Sequence, residues 1–295
     1  MNKRLLRHSF SLLHVDYVKL TSRWNYSNVI SPYFRIYYID EGEGTISTAN
    51  GRIKLEPGFL YIVPSFTLCN LSCENFLSQY FLHFFEDSVD GISIFEYNRR
   101  TMKVRAREQD KMNFRRLLHL NPGRGINRSD DPMIYEKNQY YRDYEQLNTK
   151  VSDSSFIETQ GIILQLISRF LSSRRFKMKR SEPIPSKILD TISYIQLNLK
   201  QDLTVGFLAK RASLHQDYFS RLFYRSTGER PLAFIQMKRI ERAQYLIATT
   251  DLPYAAIAEE TGFENTPYFC RIFKKITRMT PGAYKKQNNI SFTSR

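Results

Sequence analysis

DLTVGFLAKRASLHQDYFSRLFYRSTGERP (Asp202 to Pro231) and DLPYAAIAEETGFENTPYFCRIFKKITRMTP (Asp251 to Pro281) are one pattern written twice. Asp-Leu opens both copies. Ala209 matches Ala258 and Leu214 matches Phe263. After one inserted residue, Tyr218-Phe219 matches Tyr268-Phe269, Arg221 matches Arg271, Phe223 matches Phe273 and Pro231 matches Pro281. A solenoid needs about three stacked repeats, so two copies read as paired modules. In each, a short apolar-faced helix (Val205, Leu208, Ala209; then Ala255, Ile257, Ala258) meets a turn. A second helix follows with apolar residues three and four apart: Tyr218, Phe219, Leu222, Phe223, then Tyr268, Phe269, Ile272, Phe273. This is the grammar of a helix-turn-helix. The small alanine lets the second helix cross close over the first. Basic residues take its other face: Arg221 and Arg225, then Arg271, Lys274 and Lys275.

Between the copies, Pro231–Thr249 predicts one long helix. Pro231 suits the first turn, and Ile235, Ile240, Ala243, Leu246 and Ile247 form a buried face. Ser186–Leu199 predicts a helix before the first copy, with Ile188, Leu189, Ile192, Ile195 and Leu197 as its apolar set. Pro281–Lys286 reads as a last short turn.

The 295-residue length fits about two domains. The net charge of +15 favours a polyanionic partner. It is denser toward the C-terminus, where residues 186–295 carry 17 Lys+Arg against 9 Asp+Glu. The first residues lack a small-residue cleavage site, so no signal peptide is expected. No stretch approaches the roughly 18 apolar residues of a membrane helix. Cys69, Cys73 and Cys270 lack zinc-ribbon spacing and read as reduced thiols in cytoplasm; a Cys69–Cys73 redox pair is the minor alternative.

From Tyr33 to Phe85 the chain reads as short strands. Phe34–Ile39, Thr45–Thr48, Arg52–Leu55, Phe59–Val63 and Phe76–Phe85 are strands, with turns at 41–44, Asn50-Gly51 and Glu56-Pro57-Gly58. Strands at this spacing predict a small barrel or jelly roll. GEGTISTANGRIKLEPGFLYIVP, residues 42–64, resembles the cupin-like sensor domain of many bacterial regulators, through its glycine turns and the apolar strand ending at Pro64. A catalytic cupin needs three or four convergent metal ligands, and no His lies between His14 and His83. No metal and no cofactor are therefore expected. His83, Tyr37, Tyr38 and Tyr61 are read as core rather than pocket. Gln109–Leu120, Tyr135–Leu147 and Ser155–Leu171 predict helices. The last has an apolar set of Phe156, Ile163, Leu164, Ile167, Phe170 and Leu171, which either docks on the strands or pairs two copies of the chain, docking being favoured. Arg174–Pro185, basic and proline-bearing, is a linker.

Residues 188–286 resemble the DNA-binding domain of the AraC/XylS family of bacterial transcription regulators. The residues that carry this are Arg239-Ile240, Ala243, Leu246-Ile247, Ile257-Ala258, Gly262-Phe263, Tyr268-Phe269, Arg271, Phe273-Lys274-Lys275, Thr280-Pro281 and Tyr284. The resemblance implies seven helices, two helix-turn-helix units on one rigid helix, promoter binding and an N-terminal sensor or dimerisation domain. One departure is visible: the family commonly has Gly after the second recognition helix, matching Gly228 in the first copy, where this chain has Arg278. The expected fold is thus α+β in two domains. Residues 1–173 are a cupin-like β-barrel with helices, 174–185 the linker, and 186–288 an all-α domain with two helix-turn-helix motifs joined by a linker helix.

The joining helix, at about 1.5 Å per residue, spans roughly 28 Å. It can hold two recognition helices near the roughly 34 Å repeat of the duplex. Base-facing candidates are His215, Gln216, Asp217, Ser220 and Arg221 in the first copy, and Asn265, Thr266, Cys270 and Arg271 in the second. Arg221 and Arg271 can read guanine bidentately. Gln216 and Asn265 either read adenine or cap their helices. Asp217 accepts from cytosine or restrains Arg221. Arg225, Lys274 and Lys275 suit phosphates. The copies differ as His215 against Glu264, Gln216 against Asn265 and Ser220 against Cys270, so each should read a different sequence. The six aromatics Tyr218, Phe219, Phe223, Tyr268, Phe269 and Phe273 are expected in the core, which argues against a single-strand binder.

The reading is a non-enzymatic regulator of transcription. Its partners would be double-stranded promoter DNA, RNA polymerase in the case of an activator, a small-molecule effector and a second copy of the chain, with no membrane. A ligand-independent architectural DNA-binding protein is the alternative, and a cupin-type enzyme a remoter one.

Overall fold

The computed structural model describes residues 7–88, 93–95, 98–125, 147–172 and 184–289. The helix expected over Tyr135–Leu147 and most of the Arg174–Pro185 linker lie outside these residues. The chain divides into two compact units, one built on His8–Asp87 and Asn98–Met178, the other on Lys179–Lys285.

The first unit holds two sheets. Strands β1 (His8–Thr21), β8 (Phe76–Ser88), β3 (Phe34–Gly42), β6 (Phe59–Val63) and β9 (Met102–Arg105) form one, in that order. Strands β2 (Asn25–Val29), β7 (Cys69–Ser72), β4 (Gly44–Thr48) and β5 (Gly51–Leu55) form the other. The pairs β3–β8 and β3–β6 are antiparallel, with Tyr37 opposite both Phe81 and Tyr61. Between the sheets lies a core that includes Val18, Trp24, Tyr37, Ile39, Ile46, Leu55, Tyr61, Leu71 and Phe81. The other face of the five-stranded sheet packs Tyr38 and Tyr80 on Phe114 of α1 (Glu108–Leu120). With both faces covered, β3 and β8 are buried along most of their length rather than at alternate positions, so that even Arg35, Ser78, Gln79 and His83 lie inside. That explains why FLSQYFLHFF is rich in apolar residues on both faces. Tyr37, Tyr38, Tyr61 and His83 are all buried, as expected of core.

Helix α2 (Asp153–Leu171) packs against α1, β1 and β9, which agrees with the docking reading. Its buried set is Thr159, Ile162, Ile163, Leu166, Ile167 and Phe170. Phe156, expected in that stripe, is exposed instead, and Leu164 and Leu171 are half-buried. The seam is also polar: Arg169 Nε donates to Asp110 Oδ2 at 3.0 Å, and Asn113 Nδ2 to Gln165 Oε1 at 3.0 Å.

The second unit is helical: α3 (Ser186–Leu197), α4 (Val205–Arg211), α5 (Gln216–Thr227), α6 (Pro231–Thr249), α7 (Tyr254–Glu260), α8 (Thr266–Thr277) and α9 (Pro281–Asn289). Ile188, Ile192 and Ile195 of α3 join Leu208, Ala209, Phe219, Phe223, Phe234 and Ile235 in one core. Leu197, expected with them, faces solvent. Around the second copy, the rings of Phe263, Phe269, Phe273 and Tyr284 form a connected series, neighbouring centroids lying 5.4 to 5.7 Å apart.

Candidate nucleic-acid interface

The two helix pairs share one turn. In the first, Ser213 N–H bonds Lys210 O and Leu214 N–H bonds Ala209 O, both at 3.0 Å. In the second, Gly262 N–H bonds Glu259 O at 3.0 Å and Phe263 N–H bonds Ala258 O at 2.9 Å. Ser213 and Gly262 occupy the same left-handed position, with φ of 54° and 77°. Each turn thus stops its first helix with the same pair of bonds and launches α5 or α8 across it. Leu214 and Phe263 then enter the core.

The helix starts fix the alignment of the copies. His215 is the N-cap of α5 and Asn265 that of α8. His215 therefore pairs with Asn265 and Gln216 with Thr266, one residue away from the pairing expected, and Glu264 is the inserted residue. Asn265 Oδ1 accepts from Tyr268 N–H at 2.9 Å, so the capping alternative is the one realised. His215 makes no side-chain cap bond.

His215, Gln216, Asp217, Arg221 and Arg225 are exposed and Ser220 is half-buried. In the second copy Asn265, Arg271, Lys274 and Lys275 are exposed, while Thr266 and Cys270 are half-buried. Burial raises the Cys270 thiol pKa above its ordinary value, so it is a neutral group at physiological pH. All twelve candidates lie on α5 or α8 or at their N-caps. Glu264, Asn265, Pro267, Tyr268 and Arg271 line a solvent-open depression of about 610 Å³.

One aromatic expectation fails. Tyr218 is 52% exposed rather than core. The apolar face of α5 is centred on Phe219 and Phe223, and Tyr218 sits at its rim. Tyr268 is only half-buried, whereas Phe219, Phe223, Phe269 and Phe273 are fully buried.

The helix ends are also duplicated. Gly228 and Arg278 both cap in the left-handed conformation, with φ of 81° and 66°. Arg278 therefore keeps the turn that a glycine would make. A non-glycine residue there costs about 1 kcal/mol, so Arg278→Gly is expected to raise the urea midpoint by a shift worth about that much.

What joins the two pairs was not legible beforehand. Arg239 on α6 donates from Nε to Leu199 O at 3.0 Å and from Nη2 to Gln201 O at 2.8 Å. Lys200 Nζ reaches Glu260 Oε1 of α7 at 2.7 Å. The loop after α3 is thereby clasped to both the joining helix and the second pair. Burial lowers the Arg239 pKa from its ordinary value, yet the half-buried guanidinium keeps two carbonyl acceptors. Tyr268, which its spacing marks only as packing, does more. Its hydroxyl accepts from Gln236 Nε2 on α6 at 2.8 Å, and the Arg271 guanidinium carbon lies 5.1 Å from its ring centroid. The i, i+3 spacing of Tyr268 and Arg271 was the available signal.

In the first unit, His14 Nδ1 and His83 Nδ1 share a hydrogen bond of 3.2 Å in the buried core. Among the described residues no three His, Cys, Asp or Glu cluster to hold a metal ion. Also among these residues, no helix is long and apolar enough to cross a membrane.

Residues 208–287 match the helix-turn-helix domain family. Regulatory protein PocR of Salmonella typhimurium is 35% identical over 107 residues, covering 36% of this chain and 35% of PocR. The arabinose operon regulatory protein of the same organism is 28% identical over 127 residues, 42% of this chain and 45% of that protein. The chain thus spans less than half the length of these relatives. An apo single-site variant of ToxT from Vibrio cholerae has a similar fold over 96% of this chain and 97% of its own, with a TM-score of 0.52 and 12% identity. The C-terminal part of this chain thus carries a helix-turn-helix domain similar to those of PocR and the arabinose operon regulatory protein, the kind found in AraC-family regulators.

Proposed function

We propose that the chain is a sequence-specific DNA-binding transcription regulator. In this reading both helix pairs are helix-turn-helix units, and α5 and α8 enter successive major grooves of promoter DNA. The observation that carries it is the duplicated turn, which projects Arg221 and Arg271 into solvent at equivalent positions of α5 and α8. Bidentate contact with guanine is their role. Arg225, Lys274 and Lys275, near the helix C-termini, hold phosphates and set affinity rather than sequence. Asn265 acts first as a cap, with its amide nitrogen left to reach a base.

The two sheets are read as a cupin-like barrel with a sensor role, residues 1–173, tied by the 174–185 linker to a reader domain at 186–288. A small-molecule effector, dimerisation, contact with RNA polymerase and a cytoplasmic location complete this reading.

The test is selection of binding sites from a random-sequence duplex library by the full chain. Arg221→Ala and Arg271→Ala should each erase preference at a different base pair, by about 1–3 kcal/mol. Lys274→Ala should weaken all duplexes alike and lower the slope of log affinity against log salt by about one. Equal affinity for selected and random duplexes would favour the architectural alternative.

A further inference from the structure

Arg271 does not stand alone on its helix. Its guanidinium lies over the ring of Tyr268, one turn earlier. A cation within about 6 Å of a tyrosine ring centroid is attracted by the ring's negative face. The ring is fixed in turn. Gln236 of α6 donates to its hydroxyl at 2.8 Å. Phe263 meets it edge-on at 5.9 Å, and Arg239 lies over Phe263 at 5.8 Å. The helix start that carries Tyr268 is capped by Asn265 and stiffened by Pro267 in its first turn.

The first copy lacks each of these supports. Leu214 stands where Phe263 stands and offers no ring edge. Asp217 replaces Pro267, and His215 gives no side-chain cap bond. Tyr218 is 52% exposed, and among the described residues no ring lies beneath Arg221.

We propose that Tyr268, braced by Gln236, is a positioning residue that pre-orients Arg271, making the second helix pair the more discriminating of two unequal readers; this rests on the DNA-reading role proposed above. An arginine free in solution gives up rotamer entropy on docking, whichever base it meets. A pre-set guanidinium loses less, and its planar fork cannot swing to accommodate a wrong base. Arg221, unsupported, adapts. Mismatches are therefore tolerated better in its half of the site.

The experiment compares the full chain with Tyr268→Leu, Tyr268→Phe and Gln236→Leu in the same duplex selection. The base pair belonging to each arginine is first assigned from the Arg221→Ala and Arg271→Ala motifs. Tyr268→Leu should cut preference at the Arg271 base pair about fivefold. The two milder variants should cut it about twofold, because the ring remains but its tether is gone. Preference at the Arg221 base pair should be unmoved in all three, and Tyr268→Leu should add nothing in an Arg271→Ala background. Equal loss at both base pairs, or a gain in preference, overturns the positioning role while leaving the regulator reading intact. A wild-type chain with no site preference sinks the regulator reading and this role with it.

Discussion

Gly262→Ala is expected to destabilise the helical unit by about 3 kcal/mol, seen as a lower urea midpoint in far-ultraviolet circular dichroism. Two effects add. At φ +77° an L-residue is strained by about 1–2 kcal/mol. The new Cβ would also lie 2.2 Å from Leu199 O and 2.8 Å from Arg239 Nη2, closer than atoms can pack. Leu199 O is a carbonyl that Arg239 holds, so relief of the clash loosens that bond to a half-buried guanidinium. Gly228→Ala is the built-in control. It has nearly the same φ, +81°, but nothing within 4 Å of its Cβ. It should show the strain alone, about 1 kcal/mol. If the two alanine variants lose equal stability, the packing half of this account is wrong.

Acidification from pH 7 to pH 5 is expected to cost the N-terminal unit at least about 2 kcal/mol. Burial, with Arg124 assisting, lowers His14 from 6.5 to about 3. His83 is held well below 6.5 by burial, then by His14 and Arg35. Both are thus neutral in the folded state and protonate in the unfolded one. Below about pH 6.5 the unfolded chain binds more protons, so stability falls as pH drops and goes on falling toward pH 3. His14 contributes roughly 1.4 kcal/mol per pH unit below about pH 6.5, hence about 2 kcal/mol at pH 5, and His83 adds to the loss in the same direction. Asp16, whose pKa burial raises, opposes this in part. Trp24, the single tryptophan, lies in this unit's core and reports its unfolding alone by fluorescence. A midpoint flat from pH 7 to pH 5 would contradict the buried neutral pair. His83→Gln should make the slope shallower.

The helical half was legible because its signals are local. Periodicity, Pro231 at a helix start and the paired alanines place the helices of both copies in order, and α6 runs over Pro231–Thr249 as read. The strands from Phe34 to Val63 were legible for the same reason, since Asn50-Gly51 and Pro57-Gly58 are turn chemistry. Strands β1 and β2 were not. HSFSLLHVDYVKLT is buried on parts of both faces, so it does not alternate, and its partner β8 is some 60 residues away. At the site, sequence found the exposed cations but not what holds them. The contacts of Arg239 with Leu199 and Gln201, and of Gln236 with Tyr268, join residues about 30 to 40 positions apart. No local pattern encodes such pairs. Tyr218 was misplaced because spacing alone does not say where an apolar face ends.

The clasp of Arg239 and Lys200 on the loop after α3 has a consequence for helical phase. Two readers on a slack tether would find each other's half-sites at an effective concentration set by chain length, and would tolerate varied spacing. Readers locked to one frame dock as a single body, so the second contact costs little further orientational freedom. The same rigidity forbids adjustment. Inserting one base pair between half-sites turns one groove by roughly 34° relative to the other, since about 10.5 base pairs make a turn. A clasped pair cannot follow that rotation, so on the proposed reading the spacing of its sites is as much a part of the recognised message as the bases themselves.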